Sequence, residues 1–231
     1  LARGLFGLNA NETKAEMLRR FAGGATLIDL DGDGDLDLAK LNVRGGLSLY
    51  RNDKGKFTDV TKASGDAAKK FSGTYTAIVA GDYDNDGKPD LFISGYGGMH
   101  LFHNAGKGKF TDVTATAKLP NYAYLSISSA LVDADHDGDL DVFVAGFADL
   151  DSPASEGRFA PAPNLLLRNN GDGTFLDISK AAGIDAAGNA VAVIPTDYDN
   201  RRDVDLLVLN YDAPPKLFRN LRDGSFRDVA A

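Results

Sequence analysis

The stretch Gly81–Ser94 reads GDYDNDGKPDLFIS, an acidic loop followed directly by an apolar run. Within the loop, aspartate occupies the first, third, fifth and ninth positions and glycine occupies the sixth. The pattern recurs in whole or in part, so the chain has four acidic loops: loop 1 (Asp29–Asp37), loop 2 (Asp82–Asp90), loop 3 (Asp133–Asp141) and loop 4 (Asp197–Asp205). Self-similarity at intervals of about 50 residues indicates a repeat architecture.

Two further motifs follow each acidic loop in the same order. The first is a tetrapeptide that ends in Asn and begins at Leu49, Leu101, Leu166 and Leu217. The second is Phe-x-Asp followed by Val or Ile, and it begins at Phe57, Phe110, Phe175 and Phe226. With the apolar runs on either side of the acidic loop, each unit reads as four short strands. The run after the loop is apolar almost throughout, which indicates a strand covered on both faces.

These units predict an all-β protein, a β-propeller of four-stranded antiparallel blades with four complete repeats. The predicted blades cover about residues 24–60, 76–113, 127–178 and 189–229. Residues 1–23 are predicted to hold the outer strand of a preceding blade, around Phe6, and a helical connector over Asn11–Phe21 with Asn11 as its N-cap. Since stacked repeats need capping or closure, we expect a fragment of a larger propeller, with a compact four-blade closure as the alternative.

The spacing of the acidic loops is typical of a calcium site, because Ca²⁺ prefers several carboxylate and carbonyl oxygens at once. The glycine permits the backbone reversal. A helix-loop-helix calcium hand would require Glu at the twelfth position, where Lys40, Ile93 and Val144 stand, and helical flanks, so that class is excluded. The alternative to metal binding is a set of solvated acidic turns.

Loop 4 departs from the pattern, because Arg201 replaces the aspartate at the fifth position and Arg202 the glycine at the sixth. We predict that this loop is metal-free and that an arginine neutralises the remaining Asp197, Asp199 and Asp205. The other three loops predict about three Ca²⁺ ions, which would shift the formal charge from −8 to −2.

Gly81–Asp90 and Leu101–Val113 resemble the FG-GAP (VCBS-type) repeat, the unit of integrin α-subunit propellers and of many bacterial secreted proteins. The resemblance implies a β-propeller, commonly of seven blades, with calcium in the loop between the first two strands of a blade. It assigns side-chain ligands to Asp29, Asp31, Asp33, Asp37, Asp82, Asp84, Asp86, Asp90, Asp133, Asp135, Asp137 and Asp141, and backbone carbonyl ligands to Asp35, Lys88 and Asp139. The family does not imply a single activity.

Composition narrows the function classes. The chain has no cysteine, which excludes disulfides and Cys-based zinc sites, and its net charge of −8 argues against nucleic-acid binding. No apolar run is long enough to span a bilayer, and no phosphate-binding glycine loop or His-Glu-x-x-His pattern occurs. His100, His103 and His136 show no evident pairing with a nucleophile, so catalysis has little support.

Antiparallel connectivity predicts that the acidic loops share one face of the blades. The loops between second and third strands, and the blade-to-blade connections, then lie on the opposite face. Aromatic and Arg residues in exposed loops favour recognition, so this face is a possible ligand face. Its candidates are Tyr96, Tyr122, Tyr124, Phe147, Arg158, Phe159 and Tyr211. The alternative for the inserted segment 147–164 is a flexible loop with no role.

The leading hypothesis is a calcium-stabilised binding, adhesion or protein-interaction module of a secreted or cell-surface protein, with a protein or glycan ligand. One alternative is the propeller of a carbohydrate-active enzyme resembling a polysaccharide lyase, or a lectin. Another is a scaffold segment of a larger surface assembly. Because weak calcium sites would stand empty in the cytosol, we expect an extracellular, cell-surface or periplasmic location.

Overall fold

The computed structural model describes residues 13–43, 45–152 and 159–230. Within these ranges the chain forms four antiparallel sheets of four strands, each in chain order. Blade 1 has β1 (Ala25–Ile28), β2 (Asp37–Leu41), β3 (Leu47–Asp53) and β4 (Lys56–Asp59). Blade 2 has β5 (Thr74–Gly81), β6 (Asp90–Tyr96), β7 (Gly98–Asn104) and β8 (Phe110–Asp112).

The remaining two sheets have the same plan. Blade 3 has β9 (Leu125–Val132), β10 (Asp141–Ala148), β11 (Leu165–Asn169) and β12 (Phe175–Asp177). Blade 4 has β13 (Ala190–Thr196), β14 (Asp205–Asn210), β15 (Lys216–Asn220) and β16 (Phe226–Asp228). The prediction of an all-β chain built from four-stranded antiparallel sheets is confirmed, and the sheets are consistent with propeller blades.

The first strands of blades 2 and 3 begin earlier than the apolar runs suggest. A register shift between Tyr75 and Ala77 lets β5 continue back to Thr74, and β9 extends in the same way to Leu125. A β-bulge adds a residue without ending the ladder, so the paired strand is longer than its regular apolar pattern.

The hydrophobic core lies between neighbouring blades, and the first strands pack side by side in the order β1, β5, β9, β13. Every residue of β10 is buried, as its uninterrupted apolar pattern predicts. Backbone hydrogen bonds also cross between blades. The amides of Phe110, Phe175 and Phe226 donate to Ser64, Ala117 and Ala182 of the preceding unit at 3.1, 2.9 and 2.8 Å.

A single α-helix of the described residues, α1 (Lys14–Phe21), precedes blade 1. Its N-cap is Thr13, whose Oγ1 accepts from the Glu16 amide at 3.3 Å while Glu16 accepts from the Thr13 amide at 2.8 Å. The prediction of Asn11 as the N-cap is wrong, because this reciprocal capping box starts the helix later. Asn11 and Phe6 lie outside the described residues. Within the described ranges no helix has the length and apolar character that a membrane crossing requires.

Helix α1 covers the face opposite the acidic loops. Its Lys14 bonds to Tyr96 at the end of β6 and to Asp151 after β10, at the ends of second strands remote from the acidic loops. Phe21 contacts Phe147, with ring centroids 5.2 Å apart. The helix therefore closes part of the face where the sequence predicts a ligand surface.

Candidate metal centres

Each acidic loop joins the first two strands of a blade and is closed by the last residue pair of their ladder. In all four loops the register places the ninth loop residue opposite the residue that immediately precedes the loop. The closing pairs are Ile28 with Asp37, Gly81 with Asp90, Val132 with Asp141 and Thr196 with Asp205. Antiparallel pairing thus brings both ends of the acidic pattern together.

The ninth aspartate fastens the loop to the third strand. Asp141 accepts from the Asn169 amide through Oδ1 at 2.7 Å and from the Ala134 amide through Oδ2 at 2.9 Å. The equivalent residues Asp37, Asp90 and Asp205 accept the equivalent pair of backbone bonds. Burial raises the pKa of Asp90 to about 6 and that of Asp141 to about 7, because the backbone donors offset only part of the desolvation.

In loops 1 to 3, the aspartates at the first, third and fifth positions lie close together. In each loop, one carboxylate oxygen per residue lies within 4.8 Å of the other two, so a single cation can contact all three. The triplets are Asp29, Asp31 and Asp33; Asp82, Asp84 and Asp86; and Asp133, Asp135 and Asp137. The turn requires a left-handed backbone at the sixth position, where Gly87 has φ 84°.

Several of these oxygens are buried without a hydrogen-bond donor. Among the described residues, Oδ1 of Asp31, Asp133 and Asp135 is enclosed and has no partner. Burial raises the pKa of Asp31 and Asp135, and the neighbouring aspartates add to the effect. An unpaired buried oxygen is costly, and a hard cation satisfies it. The donor set fits calcium on this ground.

In loop 4 three carboxylates also lie close together, but an arginine of the loop itself places a positive charge beside them. One oxygen each from Asp197, Asp199 and Asp205 lies within 4.8 Å of the others. Arg201 Nε is 3.2 Å from Asp199 Oδ2, so the arginine pairs with one of the carboxylates as the sequence predicts. That the loop is metal-free stays a prediction.

The final asparagine of the third-strand motif links neighbouring loops. Asn169 Nδ2 donates to Leu140 O in its own loop at 3.2 Å and to Tyr83 O in the preceding loop at 2.7 Å. Asn104 and Asn220 make the equivalent two contacts. Sequence reasoning did not assign this role, although the recurrence of Asn in all four motifs is a signal for it.

Much of the predicted ligand face is buried. The expectation of exposure is wrong for Tyr122, Phe147, Phe159 and Tyr211, which are all buried. Three of them pack in one cluster with Met17 of α1, and Tyr122 Oη donates to Pro163 O at 2.7 Å. These side chains therefore contact other residues of the chain and do not form an exposed surface. Arg158 lies outside the described residues.

Tyr96 and Tyr124 remain half-exposed on this face. Tyr124 stacks edge-on against Tyr122, with ring centroids 5.3 Å apart, beside an open cavity of about 630 Å³. The cavity has apolar walls and several polar groups, which is the usual composition of a small-ligand site. The polar side chains include Asn121, Asp177, Ser179, Lys180 and Asp185. Sequence reasoning did not identify these residues, because three separate segments supply them.

His100 has structural partners. Its Nε2 lies 2.9 Å from Tyr75 Oη, and its ring packs against Phe71 and Phe102. Burial lowers the pKa of His100. Tyr75 Oη donates its proton to Ser72 O at 2.8 Å, so the contact does not produce an activated nucleophile.

Comparison with known proteins adds family and fold evidence. The sequence profile of the FG-GAP-like repeat matches residues 29–93 and 82–144. Cartilage acidic protein 1 of Homo sapiens is 27% identical over 232 residues, and that of Xenopus tropicalis is 25% identical over 232 residues. Each match covers 90% of this chain but only 33% and 34% of the relative, so the chain spans about a third of these relatives.

Among solved structures, a lectin from Agrocybe aegerita that recognises non-reducing terminal N-acetylglucosamine superimposes with a TM-score of 0.52. The match has 20% sequence identity and covers 90% of this chain and 52% of the lectin chain. At this identity the similarity is evidence for the fold alone.

Proposed function

Because the chain belongs to the FG-GAP-like repeat family, we propose that it is a calcium-stabilised module that binds a protein or glycan outside the cytoplasm. One observation carries the calcium part of the proposal. Loops 1 to 3 each bring three carboxylates within 4.8 Å, and loops 1 and 3 enclose carboxylate oxygens that have no donor. Calcium would supply the missing partner and offset the repulsion between the carboxylates.

Calcium bound in this way stabilises more than one loop. The ninth aspartate links each loop to its own third strand, and in blades 2, 3 and 4 the motif asparagine links that strand to the preceding loop. Loss of order in one loop therefore removes hydrogen bonds from its neighbour. A cation that binds the folded loops and not the unfolded chain raises stability by mass action.

The recognition surface is proposed for the face opposite the acidic loops, at the cavity beside Tyr124. The half-exposed tyrosine and the charged groups Asp177, Lys180 and Asp185 provide a stacking surface and hydrogen-bonding partners. The curated relatives are cartilage acidic proteins, which supports a location outside the cytoplasm.

A scaffold role is the second proposal. The four blades form an array in chain order, and the exposed faces at its two ends, on blades 1 and 4, favour this role. Phe57 on blade 1 and Tyr198 on blade 4 are 51% and 41% exposed, whereas their equivalents inside the array are buried. Further blades of a longer chain would cover both side chains. The polysaccharide-lyase alternative has no comparable support in the described residues.

The calcium proposal is tested by thermal unfolding in calcium and in chelator. The variant Asp135→Asn removes the negative charge of a predicted ligand of loop 3 and so weakens its hold on Ca²⁺, and Asp199→Asn is its matched control in loop 4. We expect calcium to raise the Tm of the natural chain, with saturation at a hundredfold excess over Kd contributing about 2.7 kcal/mol per site. Asp135→Asn should lose part of that gain, and Asp199→Asn should keep it. Equal Tm values of the natural chain in calcium and in chelator would overturn the proposal.

The recognition surface is tested by screening defined glycans against the natural chain and Tyr124→Ala. Tyr198→Ala is the matched control, because it removes an exposed tyrosine of loop 4 on the other face. Glycans that bind should lose affinity with the first variant and keep it with the second. If Tyr124→Ala binds glycans as the natural chain does, the cavity is excluded as the glycan site. If the natural chain binds no glycan, the proposal of a glycan ligand fails and only that of a protein ligand stands.

A further inference from the structure

Loop 2 differs from the other loops in the side chain that its third strand places beside it. The residue before the motif asparagine is Arg51, Arg168 and Arg219 in blades 1, 3 and 4. In blade 2 the same position is His103. An imidazole can offer a nitrogen lone pair to a cation, whereas a guanidinium is always charged and cannot.

The histidine is directed into the loop. His103 Nδ1 lies 3.0 Å from Asp84 Oδ2 and 3.4 Å from Asp90 Oδ1. The ligand atoms of these three residues all lie within 4.8 Å of one another. The Nδ1 atom is enclosed by protein and, among the described residues, has no hydrogen-bond partner of acceptable geometry. A nitrogen between two carboxylates with no hydrogen bond is arranged as a metal ligand is.

The chemistry of this donor set differs from that of loops 1 and 3. There, the positive charges of Arg51 and Arg168 face the third aspartates, Asp31 and Asp135. In loop 2 His103 stands in place of the arginine, and its imidazole can offer a nitrogen donor to a metal. Mixed imidazole and carboxylate sites suit borderline divalent metals such as Zn²⁺, whereas oxygen-only sites suit Ca²⁺ and Mg²⁺.

We infer that loop 2 binds a divalent transition metal through His103 Nδ1 and the carboxylates of Asp84 and Asp90. Asp84 also belongs to the calcium triplet of the loop, so the two classes of cation compete for it. The inference rests on the proposed function for the identity of the acidic loops as metal sites. It does not require that calcium stabilise the fold.

The test is a Zn²⁺ titration of the metal-free chain, followed by NMR of ¹⁵N-labelled histidine. We expect one of the chain's three histidines to shift at Nδ1, and His103→Gln to identify it by removing that signal. Calorimetry should give a Zn²⁺ affinity at least about tenfold weaker for His103→Arg, which carries the residue of the other blades. His136→Asn, which changes a histidine of loop 3, is the matched control and should bind as the natural chain does.

The outcomes separate this inference from the proposed function. If Nδ1 of His103 does not respond to Zn²⁺, the histidine is an ion-pair partner of Asp84 and the inference is wrong. The same conclusion follows if His103→Arg binds Zn²⁺ as tightly as the natural chain. If Zn²⁺ binds through His103 but calcium leaves the Tm unchanged, the inference stands and the calcium proposal fails. The NMR measurement on the natural chain does not depend on whether a variant folds.

Discussion

The interfaces between blades and the two faces at the ends of the array are built from the same motifs. The motif side chains are buried at the interfaces and exposed at the ends. Phe110, Phe175 and Phe226 begin their Phe-x-Asp motifs and are 2%, 4% and 7% exposed, whereas Phe57 is 51% exposed. Inside the array the preceding unit covers the ring and accepts the backbone amide of the phenylalanine. Blade 1 has no preceding blade in the described residues, so the same motif leaves its ring in solvent.

The opposite end of the array shows the complementary effect. The second loop residue is buried when a following blade covers it, as Leu30, Tyr83 and Ala134 show. In blade 4 the equivalent residue, Tyr198, is 41% exposed. A motif therefore specifies what a blade can bury, and the neighbouring blade decides whether it is buried. Stability in such an array is carried by the interfaces between repeats.

The largest expected effect concerns the phenylalanine rings. Phe110→Ala should lower the free energy of unfolding by about 3–5 kcal/mol, because it leaves a cavity between blades 1 and 2. Phe57→Ala should cost less than about 1 kcal/mol, because its ring is already half in solvent. Urea unfolding of both variants measures the difference. An equal loss for Phe57→Ala would show that something covers blade 1 in solution.

The asparagine links give the next largest difference. Asn169→Ala leaves the carbonyls of Tyr83 and Leu140 without their donor and should cost about 1–3 kcal/mol. Within the part of the chain that the structure describes, Asn52 donates to Leu36 O alone, in its own exposed loop, so Asn52→Ala should cost clearly less. The same denaturation experiment compares them. Matching losses would mean that the blade-to-blade contact contributes nothing.

The smallest expected effect is a pH dependence of stability that arises in loops 2 and 3, which contain Asp90 and Asp141. The raised pKa values of Asp90 and Asp141 mean that, without metal, the folded chain binds more protons than the unfolded chain between about pH 4 and pH 7. The stability of the metal-free protein should therefore rise by about 1 kcal/mol as the pH falls from about 7.5 to about 6. Denaturation in chelator at both pH values measures this change.

The control for the pH experiment is Asp141→Asn, which cannot titrate and should reduce the dependence. The control is needed because the lowered pKa of His100 acts in the opposite sense, as protonation of the unfolded chain is then favoured. Bound calcium should also weaken the effect, because it holds the carboxylates ionised. A slope unchanged in Asp141→Asn would contradict the assignment to this residue.

The strands and the loop positions could be predicted from the chain because they depend on short-range spacing. The acidic pattern, the Asn-ending motif and the Phe-x-Asp motif recur in one order, and each describes a segment of only a few residues. The burial of β10 on both faces followed from its uninterrupted apolar run. The pairing of an arginine with an aspartate of loop 4 could also be expected, because Arg201 stands only two residues after Asp199.

Contacts between distant segments could not be predicted in this way. Phe147, Phe159 and Tyr211 were expected on an exposed face, but they are buried in one cluster with α1, which lies more than 100 residues earlier in the chain. The link from Asn169 to Tyr83 and the approach of His103 to Asp84 depend on how strands and blades are placed in space. Spacing along the chain determines local pairing, whereas burial, exposure and shared ligand sets arise only when separate segments pack together, because each depends on atoms that the local sequence does not contain.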